Sequence, residues 1–201
     1  MSDNNPYTEF QGEAVDCIAR DFAAKPSGRY LLVVPTGGGK TFTAVKAIHR
    51  LFDDEVLDDD NDLVLWTAHR TELLAQAEKT FSKVDAEAGK ERNQRVRFTM
   101  ISGMEHALRN VPGIRLLIID EAHHAAAASY LPAFEFRSLG VLGLTATPSR
   151  HDGKPLEFER ESYSIGFPDL VDRGIVLRPE VRTIQGGRYE MSWEDGDDGL
   201  E

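Results

Sequence analysis

Cysteine occurs once in these 201 residues, at Cys17, so no disulfide can close within the chain and a reducing compartment is expected. Long apolar runs are missing too. None reaches the ~20 residues that cross a bilayer, and the opening Met1-Ser2-Asp3-Asn4-Asn5-Pro6 has no apolar targeting core. A soluble cytoplasmic protein is the expectation. There is no internal repeat. Ala14, Ile18 and Phe22 recur around Cys17 at helical spacing, a setting for a small buried thiol rather than a redox site.

Positive charge is also scarce: 23 Lys and Arg stand against 34 Asp and Glu, a net of −11, which at first sight argues against a polyanionic partner. The excess is local. Seven acids lie between Asp53 and Asp62 and six between Glu190 and Glu201, without one base in either stretch; without those thirteen, 21 acids face 23 bases. The body is nearly neutral and compatible with phosphate contacts. The first stretch reads as a solvated connection between a helix and a strand. Lys90, Arg92, Arg95 and Arg97 form the one basic cluster, read as solvated surface first and as a nucleic-acid edge second.

What is present begins with Pro35-Thr36-Gly37-Gly38-Gly39-Lys40-Thr41, between the apolar run Tyr30 to Val34 and the helical pattern from Phe42 to Ile48. Three successive glycines let backbone N–H groups curl around anionic oxygens, Lys40 adds a mobile cation, and the Thr41 hydroxyl can ligate Mg²⁺. The generic phosphate-loop pattern asks for Gly where this chain has Val34, but its Gly-Lys-Thr end is intact. Thr36, Gly37, Gly38, Gly39, Lys40 and Thr41 are therefore expected to bind a nucleoside triphosphate.

Ile114 to Ile119 form an apolar run that ends, eighty positions beyond Lys40, in Asp120-Glu121-Ala122-His123. Such a run reads as a strand buried on both faces, with its carboxylates at the C-terminal tip where open α/β sheets display functional groups. Asp120 would hold Mg²⁺ and Glu121 would orient and deprotonate the attacking water. Lys40, Asp120 and Glu121 are the expected catalytic set. Neither His-Glu-x-x-His nor a nearby Cys accompanies His123 and His124, so a transition-metal site is disfavoured.

With these residues the chain resembles superfamily 2 helicases and translocases, Pro35 to Thr41 standing as motif I and Asp120 to His123 as the DEAH form of motif II. Gly143-Leu144-Thr145-Ala146-Thr147-Pro148 looks like motif III and Thr67 to Gln76 like motif Ia. Ser149 to Lys154 is similar to the branch containing restriction-enzyme Res subunits and related DNA repair helicases. The resemblance implies a RecA-like P-loop NTPase fold, ATP and Mg²⁺ as cofactors, and sequence-independent contact with nucleic acid, DNA in preference to RNA. It also implies that His123 couples the ATP site to a second lobe, with Thr145 and Thr147 relaying the state of motif II. Gln11 resembles the glutamine that reads adenine, although Thr8 stands where this branch often has Arg. Arg70 and Gln76, near a helix start, and Ser102, after the next strand, are the expected nucleic-acid contacts.

The elements alternate as in a mostly parallel α/β sheet with helices on both faces. Helices are expected at about 8–24, 41–52, 70–84, 103–109, 129–136 and 168–173, and strands at 30–34, 63–67, 96–101, 114–119, 141–145 and 180–184. Residues 1–184 then form a first RecA-like lobe, and 185–201 an acidic linker or the start of a missing second lobe. Gln185-Gly186-Gly187-Arg188 resembles part of motif VI but follows motif III too closely for an intervening lobe. The expected function is the ATP-hydrolysing lobe of a DEAH-type helicase or translocase, nearly inactive alone. A stand-alone ATP-dependent binding switch is the alternative, and a P-loop kinase fits Asp120-Glu121 less well.

Overall fold

Each apolar run of the sequence becomes a strand whose alternate side chains feed two cores. A computed structural model describes residues 6–123, 130–147 and 156–177. In chain order, α1 (Pro6–Ala24) precedes β1 (Arg29–Val33), α2 (Lys40–Asp53), β2 (Leu63–Ala68), α3 (Thr71–Ala88) and β3 (Val96–Met100). Then come α4 (Met104–Asn110), β4 (Ile114–Ile119), β5 (Gly140–Thr145), β6 (Arg160–Ser164) and α5 (Phe167–Asp172). The strands form one sheet in the order β3-β2-β4-β5-β1-β6, with every neighbouring pair parallel. Since β5 lies between β1 and β4, the C-terminal ends of these three strands open side by side.

Parallel strands need both faces covered. Val64 and Trp66 of β2, Leu116 and Ile118 of β4, and Leu142 and Leu144 of β5 join the core built by α1, α2 and α3. Their alternates Leu65, Leu117, Ile119 and Val141 pack on the other face against Met104, Tyr130 and Ala133. This period-two division is why these segments read as uninterrupted hydrophobic runs.

Three expectations change. Within the expected 129–136 helix, Leu131–Glu135 is a 3₁₀ turn, with Pro132 in its first turn and the chain entering β5 five residues later. Among the described residues the edge strand beside β1 is β6, which was not expected from the sequence, while the expected 180–184 strand lies outside the described residues, as do His124, Pro148, 149–154 and the 184/185 boundary. Asp21 of α1 anchors β6, accepting hydrogen bonds from the Arg160 guanidinium and, at 2.6 Å, from Ser162 Oγ. Cys17 is only partly buried, while its neighbours Ala14, Ile18 and Phe22 are enclosed.

The charge clusters are corrected as well, because the acidic connection and the basic cluster meet. Arg92 is 4% exposed. Its guanidinium donates to Asp53 Oδ1 at 2.7 Å, to Asp59 Oδ1 at 3.2 Å and to the His49 carbonyl at 2.8 Å, and Arg95 donates to the Asp60 carbonyl. Arg92 is an internal clamp on the connection after α2, neither free surface nor a phosphate contact.

Candidate nucleotide site

The turn from β1 to α2 is shaped by glycines that accept left-handed backbone: φ is 85° at Gly37 and 83° at Gly39, the residue that caps α2. Gly38 is closely confined, since a Cβ there would stand 2.4 Å from Val34. Lys40 opens the helix and is 7% exposed, with Nζ 3.5 Å from Glu121 Oε1. A cation buried beside a carboxylate, at a helix N-terminus whose amides lack helical acceptors, forms a site for anionic oxygens.

Asp120 stands at the end of β4, 4% exposed, and its backbone N–H donates to the Thr67 carbonyl. Burial, reinforced by the neighbouring Glu121 charge, pushes its carboxyl up to about 6. Lys40, the Glu121 amide and the Trp66 indole oppose that shift, the indole without closing a normal hydrogen bond. A carboxylate so poorly solvated gains from a cation. Among the described residues no group of three or more His, Cys, Asp or Glu could hold a metal. The donor set of Asp120 and the Thr41 hydroxyl suits Mg²⁺, which takes one or two protein ligands and completes its shell with water and phosphate oxygens.

Glu121 adopts φ 51°, a left-handed conformation rare outside glycine. The turn places Oε1 toward Lys40 and Oε2 3.3 Å from His123 Nδ1. The same His123 nitrogen lies 3.0 Å from Thr145 Oγ1. Thr145 Oγ1 also contacts the Thr147 carbonyl at 2.6 Å and accepts from the Thr147 N–H at 3.1 Å. Glu121, His123, Thr145 and Thr147 thus form one connected path across the ends of β4 and β5.

The cavity between these groups measures about 340 Å³ and is lined by Thr36, Gly37, Gly39, Lys40 and Thr41 from the loop and by Asp120 and Glu121 from β4. A second cavity of about 640 Å³ runs between α1, α2 and α3; it is lined by Gln11, which is 8% exposed, and by Phe42 and Lys46. Phe42 lines both. A hollow of about 240 Å³ joins Thr36, His69, Arg70, Glu121 and His123.

Ser102 is exposed in the turn after β3. Arg70 lines the hollow beside Glu121, and Gln76 lines the phosphate cavity itself. Thr80, which lies outside any motif, and His69 and Leu73, which lie within motif Ia but were given no role, also border these spaces. For Leu73 and Thr80 the available signal was their helical spacing from Gln76.

The model of the type III restriction enzyme Res subunit matches residues 5–150. A putative DNA 3'-5' helicase Rad25 of Halobacterium salinarum is 34% identical over 185 residues, covering 85% of this chain and 29% of its own length. The DNA 3'-5' translocase XPB2 of Sulfurisphaera tokodaii is 29% identical over 204 residues, covering 92% of this chain and 38% of its own. The chain thus spans well under half of either relative. In fold, it is similar to the Type ISP restriction-modification enzyme LlaGI solved with a DNA substrate mimic, with a TM-score of 0.62 and 19% identity over 83% of this chain and 20% of that one. Matched over most of its length and folded around the same parallel sheet, the chain belongs to the Res-subunit family of type III restriction enzymes, as a first RecA-like lobe of the superfamily 2 helicase type.

Proposed function

We propose that this lobe binds and hydrolyses ATP as part of a DNA-directed helicase or translocase. The observation that carries the reading is the convergence of Lys40, Thr41, Asp120 and Glu121 on one cavity. The relatives named for action on DNA support the choice of DNA.

In this reading the Gly37–Gly39 amides and Lys40 hold the phosphates, while Gln11 meets the base across Phe42. Mg²⁺, held by Thr41 and Asp120, would neutralise the phosphate oxygens and order them for attack. Glu121 accepts the proton of the attacking water, its carboxylate oriented between Lys40 and His123. The His123–Thr145–Thr147 path carries the state of Glu121 across the ends of the sheet, toward a second lobe. Arg70 and Ser102 are proposed to touch the nucleic-acid backbone, which positions the track without reading its sequence.

Among the described residues no arginine lines the phosphate cavity. An arginine finger is worth roughly 10³ to 10⁵ in rate, so the chain alone should turn over very slowly. Joined to a second RecA-like lobe, it should release phosphate in a DNA-stimulated manner. Phosphate release measured with and without DNA for both forms tests this. Robust stimulated turnover by the strictly monomeric chain, or none by the two-lobe form, would contradict it.

A further inference from the structure

Leu73, Gln76 and Thr80 occupy positions i, i+3 and i+7 of α3, one face of a helix. All three border the phosphate cavity, so α3 supplies a wall that the loop and β4 do not. Thr80 Oγ1 donates to the Gln76 carbonyl at 2.8 Å, which commits the Thr80 proton to the helix. The Gln76 carboxamide is exposed and has no hydrogen-bond partner among the described residues. It is thus the polar group on this wall left to meet a ligand.

We infer that the Gln76 carboxamide binds the phosphate end of the magnesium nucleotide, closing the cavity from α3 rather than contacting DNA. This rests on the reading of that cavity as a nucleotide site. A carboxamide has both a donor and an acceptor. Its NH₂ would donate to a phosphate oxygen and its carbonyl would accept from a water at the phosphate end, and neither adds charge beside Asp120 and Glu121. A carboxylate at the same point would be a third anion facing the phosphates.

The test is calorimetric titration of MgATP into the wild-type chain, Gln76→Leu and Gln76→Glu, with the thermal midpoint and helical circular dichroism of each recorded. Leu and Glu are good helix formers, so these exposed substitutions should leave folding unchanged. Loss of hydrogen bonds to a charged ligand should weaken binding about ten-fold in Gln76→Leu, and Gln76→Glu should bind more weakly still. Wild-type binding with equal affinity in both variants would overturn the inference while leaving the nucleotide site standing. Equal MgATP affinity together with weakened single-stranded DNA binding would return Gln76 to the nucleic-acid side. No MgATP binding by the wild type would remove the nucleotide reading and this inference with it.

Discussion

Glu121 is held in a left-handed backbone that an L-residue adopts at a cost of about 1 kcal/mol. Its carboxylate is thereby fixed between Lys40 and His123. Glu121→Gln keeps the shape and removes the base. In the two-lobe form MgATP should still bind, while phosphate release falls roughly 10²- to 10⁴-fold; turnover at the wild-type rate would require another base. The residues with the most restrictive chemistry were the easiest to read from the sequence. Three glycines, a Lys-Thr pair and carboxylates ending an apolar run have few other uses together, and Gly37, Gly39, Lys40, Thr41, Asp120 and Glu121 line one cavity. Gln76 was harder, because its motif indicates a helix start but not which way that helix turns the side chain.

Between α2 and α3, burial and charge are set against each other. His49 Nε2 lies 3.1 Å from Asp85 Oδ1, and the two Asp85 oxygens accept the Arg92 and Asn93 amides. Burial holds His49 below the 6.5 of a free imidazole, outweighing Asp85. The unfolded chain therefore takes up that proton first. This contribution to stability is complete above pH 6.5 and is lost as pH falls toward the folded value. The thermal midpoint should decline with acidification in that window, and His49→Gln should flatten the decline; an unchanged slope would remove His49 as its source. Arg92→Met leaves the His49 carbonyl, Asp53 and Asp59 without their donor and should cost about 2 kcal/mol in denaturant unfolding, with the nucleotide cavity intact. A stability equal to wild type would mean that the clamp carries no net energy. Composition could not show this pairing, since Asp53 and Arg92 are joined only when α2 and α3 pack. Arg160-Glu161-Ser162-Tyr163-Ser164 was missed for a related reason. Among the described residues it is paired only along its Tyr30 to Val33 side, a setting that needs no apolar run, and its anchor, Asp21, is distant in sequence.

Across the whole molecule, the loop after β1, the carboxylates after β4 and the threonines after β5 meet because β5 separates β1 from β4 in a parallel sheet. Helix and strand periods give the elements, and the ends of the buried runs show where the chemistry lies. The strand order follows from packing, so the sequence alone left the edge assignment open. No helix among the described residues is long and apolar enough to cross a membrane. If the C-terminal ends of β1, β4 and β5 form a magnesium-dependent nucleotide site, calorimetric titration of ATP with and without Mg²⁺ into the wild-type chain and Lys40→Ala will show it. The prediction is one Mg²⁺-dependent site in the wild type and a roughly 10- to 100-fold weaker one in Lys40→Ala, as expected for loss of a charged contact to phosphate, at equal thermal stability. Equal affinities for the two proteins, or binding indifferent to Mg²⁺, would contradict it.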